Sequence, residues 1–505
     1  MAPDRTRFVR SSGILLPVSC LPSPYGIGSL GKAARKWIDF LDEADQSFWQ
    51  ILPLGPTCYG NSPYQSPSAF AGNPSYIDLD TLYEEGLLKK AEFKDLNWSR
   101  TKKLIDYDTI GRKREGVLHK AFERFKGDDA IEAFKAQSPW AEEYALFMAI
   151  RESIGMLAWT DWDEPLRKRQ KAALLSAGNE LKEEVRFHIF MQYMFTRQWQ
   201  ALHAYANAKG VEIIGDIPIY IALDSADVWA EPGLFQLDKN SIPTGVAGCP
   251  PDSFSAKGQV WGNPLYDWKV MAKTGYDWWI RRLKHSFELF DALRIDHFRG
   301  LEDYYAIPYG AITAKDGKWK PGPGKDFISA VKAALPDRRV IAEDLGYLTE
   351  SVKELVAFSG YPSMKVLQFA FDTRVTGEYR PFTYGKNSVV YPGTHDNDTL
   401  KGWCKAATEA SVKKAMDYIG VDRVSELPAA MLRVTMQCNS DLAVILMQDW
   451  LGLGSEARIN TPSTVCGRNW RWRLGENDLN NRLAASISHM TSLYGRSRSA
   501  DGGET

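Results

Sequence analysis

The chain of 505 residues has no excess of charge of either sign: 62 Lys and Arg stand against 63 Asp and Glu, a formal net charge of −1. A surface built for nucleic acid normally shows as a surplus of basic residues, so this balance argues against nucleic acid as the main partner. Long apolar runs are also missing. The best candidate, 442–447, is the length of a strand and far short of the roughly 18 residues a membrane span needs. The first residues, MAPDRTRFVRSSGILLPVSC, include basic side chains but no apolar stretch of the kind a secretory signal carries. A cytoplasmic location is expected. Cysteine is sparse. Cys20, Cys58, Cys249, Cys404, Cys438 and Cys466 lie far apart with no CxxC pair, which fits neither a disulfide scaffold nor a zinc pattern. Reduced thiols are expected.

Aromatics, by contrast, are plentiful: 17 Trp, 22 Tyr and 22 Phe. Most must serve as core packing. The remainder could line a cleft for a ligand with flat apolar faces. With 25% charged residues and ordinary Gly and Pro content, the chain reads as folded. Its length allows roughly three domains of about 150 residues, or one α/β barrel of about 250 residues with large insertions.

The order of apolar runs favours the barrel. Strand candidates fall at 13–17, 48–54, 211–221, 290–295, 339–342, 366–371, 388–391 and 442–447. Several are almost wholly apolar, as strands covered on both faces of a parallel sheet are. Helical spacing follows the first, at Leu30, Ala33, Trp37, Phe40, Leu41 and Ala44. The expected fold is α/β, a (β/α)8 TIM barrel with helical and loop subdomain insertions. The first two strands would occupy 1–80. A Lys-, Glu- and Ala-rich helical insertion would follow over 81–205, with one long helix over 179–208 stopped by Gly210. The rest of the barrel would run over 206–493, interrupted by a loop subdomain at 222–289, and 494–505 reads as a disordered polar tail.

Chemistry in such a barrel gathers where strands end. The fourth strand ends in FDALRIDHFRG, placing Arg294, Asp296 and His297 there. The fifth ends in RVIAEDLG, with Glu343 and Asp344. The seventh leads into YPGTHDNDT, with His395, Asp396, Asn397 and Asp398, and the third, IIGDIPIY, holds Asp216. Converging carboxylates can bind a divalent metal, an option that His297 and His395 keep open. They can also cleave a glycosidic bond, which needs a protonated acid beside an ionised carboxylate.

Together with GILLPVSCLPSPYGIGSLG, WQILPLGPTCYGNSPYQSPSAFAGNPSYIDL, GCPPDSFSAKGQVWGNPLYDW and the NWRWR segment, these stretches resemble the amylomaltases, or 4-α-glucanotransferases, of glycoside hydrolase family 77. The resemblance implies a retaining mechanism with Asp296 as nucleophile, Glu343 as general acid and base, and Asp396 as a third carboxylate favouring the distorted sugar. Arg294 would keep the nucleophile ionised. His297, His395 and Asn397 would bind hydroxyls, Asp216 and Tyr64 fall in matching motifs, and Tyr64 would lie under the reacting sugar. Phe254 and Trp261 would line subsites, and Tyr59 would mark a secondary glucan site, put in doubt because Cys58 stands beside it where glycine is frequent. The expected partners are α-1,4-glucans and maltooligosaccharides, with no nucleic acid and no membrane, no cofactor and no metal, in a monomer or weak homo-oligomer. A hydrolase on the same barrel, a non-catalytic glycan binder and a metal-dependent enzyme are the competing readings.

Overall fold

The computed structural model describes residues 6–498 apart from 102, 252–254, 347 and 376–378, and of Tyr59 the backbone alone. In chain order the strands are β1 Ser11–Leu15, β2 Phe48–Gln50, β3 Glu212–Pro218, β4 Gly245–Cys249, β5 Gln259–Pro264, β6 Ala292–Asp296, β7 Asp303–Pro308, β8 Lys318–Pro321, β9 Arg339–Ala342, β10 Ser363–Val366, β11 Ser388–Tyr391 and β12 Leu442–Leu446. Eight of them close a parallel barrel in the order β1-β12-β11-β10-β9-β6-β3-β2. The (β/α)8 expectation therefore holds.

Most barrel strands have two apolar faces, and each face has its own core. Side chains such as Leu15, Phe48, Ile214, Ala292, Ile341, Met364, Val389 and Val444 fill the barrel interior. The alternate residues, among them Ile14, Trp49, Ile213, Leu293 and Val340, pack outward under the helices. That is why these strands read as continuous apolar runs. Space inside is tight: a Cβ on Gly13 would come within 2.7 Å of Phe48. Trp37 and Trp49 are fully buried against one another, as their packing role required.

The sixth barrel strand differs from the sequence reading. The run 366–371 forms the helix Leu367–Phe371, and the strand is the preceding Ser363–Val366. A short apolar run looks the same whether it is buried as strand or helix, and Leu367, Ala370 and Phe371 are all buried. The long helix also differs. Helices Lys171–Glu180 and Lys182–Ala208 meet at Leu181, whose φ of −105° and ψ of 26° leave the helical region while its side chain packs on the core.

Strands β4, β5, β7 and β8 form a second, antiparallel sheet in the order β5-β4-β7-β8. It draws on the segments after both β3 and β6, so its residues extend past the loop region read at 222–289. The helix Asp277–Leu289, inside that range, instead packs against the barrel, on β6 and the helix Lys182–Ala208.

Residues 494–498, read as part of a disordered tail, are docked. Arg496 is fully buried and donates to the carbonyls of Met436, Ser11, Cys438 and Ser440 at 2.8–3.0 Å, and of Asp441 at 3.3 Å. A polar sequence concealed a side chain that satisfies backbone groups where β1 and β12 begin. Among the described residues, no helix is long and apolar enough to cross a membrane. Arg496→Ala would leave those carbonyls buried without a donor, and is expected to lower stability by about 2–4 kcal/mol. A thermal melt matching the wild type would show that Arg496 is not a staple.

Candidate active site

The carboxyl ends of β3, β6, β9 and β11 bring the expected residues to one mouth of the barrel. Register sets the first contact. Asp216 on β3 is paired with Arg294 on β6, and Pro218 with Asp296. Arg294 Nη1 donates to both oxygens of Asp216 at 2.8 and 2.7 Å, and Nη2 donates to Asp296 Oδ1 at 2.7 Å. Burial works against the charge on Arg294, but the two carboxylates outweigh it and hold its pKa well above the ordinary value. The Asp216 side chain is fully buried, whereas that of Asp296 keeps 30% of its surface open. Asp216 thus supports the site from beneath, and Asp296 is the partner a ligand can reach.

Tyr64 donates to Asp216 Oδ2 at 2.7 Å, and its ring stacks on His395 at a centroid distance of 5.2 Å. Burial, and then the charge of Asp216, raise its pKa well above the usual value, so the hydroxyl keeps the proton it donates.

Glu343 follows β9. Its Oε2 accepts from the His297 backbone N–H at 2.6 Å and its Oε1 from that of Leu345 at 2.9 Å. These bonds and Arg294 favour the anion, yet burial, reinforced by the charge of Asp296, prevails and raises the carboxyl to about 7. His297 sits in a left-handed conformation, φ 54°. Burial pushes its imidazole down to about 4, so it is neutral near pH 7. Its Nε2 is buried with no hydrogen-bond partner among the described residues, and Trp261 on β5 meets its ring edge-to-face at 4.8 Å. The small sheet thus delivers one aromatic side chain to the site.

Asp396 is 43% open, and its Oδ1 accepts from Asn460 Nδ2 at 2.7 Å. Arg458 bonds the Asp396 carbonyl at 2.6 Å, and Trp470 packs near both His395 and Tyr64, at 6.0 and 5.9 Å. Arg458, Asn460 and Trp470 escaped the residue-by-residue reading. They come from the irregular chain after β12, where no strand end pointed to them, and only the NWRWR segment hinted at their neighbourhood. Asn397 Oδ1 accepts from the Thr394 N–H and hydroxyl, both at 2.9 Å, which braces its own loop. Phe254 lies outside the described residues, as does the Tyr59 side chain. Among the described residues, no group of three or more His, Cys, Asp or Glu is placed to hold a metal.

A family model described as 4-alpha-glucanotransferase, of glycoside hydrolase family 77, matches residues 16–478. The chain belongs to this family. It is 45% identical to the 4-alpha-glucanotransferase of Clostridium butyricum over 484 residues, 95% of this chain and 99% of that one. The chloroplastic/amyloplastic 4-alpha-glucanotransferase of Solanum tuberosum is 40% identical over 503 residues, 96% of this chain and 86% of that one. Among solved structures, amylomaltase from Streptococcus agalactiae in complex with acarbose superposes with a TM-score of 0.94 at 39% identity, covering 97% of this chain and all of that one. The chain is accordingly a 4-alpha-glucanotransferase.

The geometry ranks the supports of this glucanotransferase site. Asp216→Asn removes one of two charges on a buried guanidinium and is expected to cost about 3–5 kcal/mol of stability. Tyr64→Phe removes one hydrogen bond to a carboxylate, worth about 1.5–3 kcal/mol. Urea unfolding of both variants checks the order, and a reversed order would show that Asp216 is not the main support.

Proposed function

We propose that the enzyme moves segments of α-1,4-glucans from donor to acceptor by a retaining double displacement through a covalent glucosyl-enzyme. One observation carries this reading. Two carboxyl groups stand at neighbouring strand ends in different environments, Asp296 ion-paired to Arg294 and partly open, Glu343 half-buried and raised to about 7. Such a pair supplies a nucleophile and a general acid. The acarbose held by the Streptococcus agalactiae amylomaltase supports an α-glucan as the ligand.

In the first step the Asp296 oxygen not held by Arg294 attacks the anomeric carbon. The bond to the glycosidic oxygen breaks, and Glu343 gives that oxygen its proton. Both Glu343 oxygens already accept a backbone N–H, so the proton occupies a remaining lone-pair direction. Forming the ester neutralises Asp296. This removes one of the two influences that raise the Glu343 carboxyl, so its proton affinity falls just when a base is needed. Glu343 then takes the proton of an acceptor 4-hydroxyl as that oxygen attacks the ester-bound carbon, and the α-1,4 bond is restored. Asp396, fixed by Asn460, holds hydroxyls of the reacting sugar, and the neutral His297 with its unpartnered Nε2 serves the same sugar. Tyr64, pinned to Asp216 and stacked on His395, forms the wall beside it. Trp261, with Phe254, would bind sugar faces and keep water from the ester. No step calls for a metal or cofactor.

Incubation with maltotriose is expected to give glucose and a ladder of longer maltooligosaccharides with total reducing ends nearly constant. A steady rise in reducing ends without longer products would point to a hydrolase instead. Asp296→Asn is expected to abolish both outcomes. The general acid works only while protonated, so kcat/KM should fall as pH rises through about 7, with a slope approaching tenfold per pH unit. A profile flat from pH 6 to 9 would remove Glu343 from that role.

A further inference from the structure

The turn that follows β6 carries two contacts to Glu343 as well as the His297 ring. The His297 N–H donates to Glu343 Oε2 at 2.6 Å, and the Phe298 N–H to the Glu343 carbonyl at 2.9 Å. The turn continues as one short helical stretch, Phe298–Leu301, and leads into β7. Arg299 lies inside it and is 5% exposed. Its Nη2 donates to Asp303 Oδ1 at 2.6 Å, where β7 begins, and its guanidinium carbon lies 4.0 Å from the centre of the Trp319 ring on β8. Trp319 is the cross-strand partner of Tyr305, and the two rings meet edge-to-face at 5.0 Å. Burial lowers the His297 imidazole most and Asp296 raises it, while the charge of Arg299 lowers it further, which places the guanidinium within electrostatic reach of that ring.

A buried guanidinium is a costly way to stabilise a turn. Its pairing often returns no more than desolvation takes, and an apolar side chain of similar size would frequently serve stability as well or better. What the pairing fixes is geometry. The antiparallel sheet reaches this turn from both of its outer strands, with Trp261 of β5 against the His297 ring and Trp319 of β8 against Arg299. A loosened turn would weaken the His297 N–H bond to Glu343, one of the contacts that favour the carboxylate. Of the ionisable groups facing Glu343, Asp296 and Arg294 come from β6 and Tyr379 from the segment before β11. None of these three belongs to the small sheet.

We propose that Arg299, clamped between Asp303 and Trp319, is a positioning residue that sets the His297 turn against Glu343, so that the antiparallel sheet takes part in catalysis. The proposal rests on Glu343 being the general acid and base. Trp319→Ala is the variant to read, because Trp319 is 38% exposed on an outer strand and its removal leaves the Arg299–Asp303 pair in place. With maltotriose as substrate, kcat/KM below pH 7 is expected to fall about three- to tenfold, the loss that removal of a cation–π contact brings. The alkaline decline of kcat/KM should also move to higher pH than in the wild type, since a weaker N–H contact leaves the Glu343 carboxyl with a higher proton affinity. Trp319→Phe keeps a ring face for the guanidinium and should restore both. A merely structural role would lower the melting temperature and leave the alkaline decline at its wild-type pH. That result would overturn the proposal, and so would Trp319→Phe behaving like Trp319→Ala. Failure of the underlying assignment would appear separately, as Glu343→Gln retaining activity.

Discussion

One buried guanidinium organises the mouth of this barrel. Arg294 lies under the cleft with Asp216 on one side and Asp296 on the other, all within 2.8 Å. A charge taken so far from water is tolerated only when paired and hydrogen-bonded. The pairing needs β3 and β6 in one particular register, since Asp216 and Arg294 are cross-strand partners. A shift by one residue would turn these side chains out of the barrel interior. The apolar core that fixes strand register therefore also fixes the charge distribution of the site.

The same burial that makes Arg294 demanding makes Glu343 useful. Five influences act on its carboxyl: desolvation and Asp296 push its proton affinity up, while Arg294 and two backbone N–H groups pull it down. The result stands near neutrality because the raising influences prevail, and part of that excess depends on the charge of Asp296. A nucleophile that loses its charge on forming the ester would lower the affinity of the acid next to it. Two backbone outliers accompany this arrangement. His297 and Trp470 both adopt left-handed conformations, with φ of 54° and 65°. Both lie at the cleft, where strained conformations persist only if surrounding packing enforces them. Trp261 does so for the His297 ring, and the Tyr64–His395 stack for Trp470.

Much of the site was legible because barrel chemistry sits at strand ends, and polar residues directly after apolar runs can be read from sequence. Asp296, Glu343 and Asp396 were found that way, and the structure brings their strand ends together. Three kinds of feature were not legible. Asn460 and Trp470 come from an irregular segment whose path is set by the contacts it makes. Asp216 looks, in sequence, like a residue open to a ligand, and only its packing shows it as the buried support of Arg294. Asn397 stands in the same tetrapeptide as Asp396, yet its carboxamide turns back on Thr394. Side-chain direction in a loop has no period to read. The antiparallel sheet was half visible for a related reason: β4 and β5 lay in a segment marked by its irregularity, while β7 and β8 lay beyond the range assigned to it and pair across a long separation.

The sequence by itself determined the repeating strands, the carboxylates at their ends and the family. Apolar runs and strand-end residues are local features, set by neighbours along the chain, and motifs in a fixed order survive without knowledge of contacts. Tertiary structure alone decided which carboxylate is buried, which is paired and which is open. Proton affinity and accessibility arise from groups brought close through space, such as Asp216 to Arg294 or Asn460 to Asp396, and no stretch of sequence contains those distances.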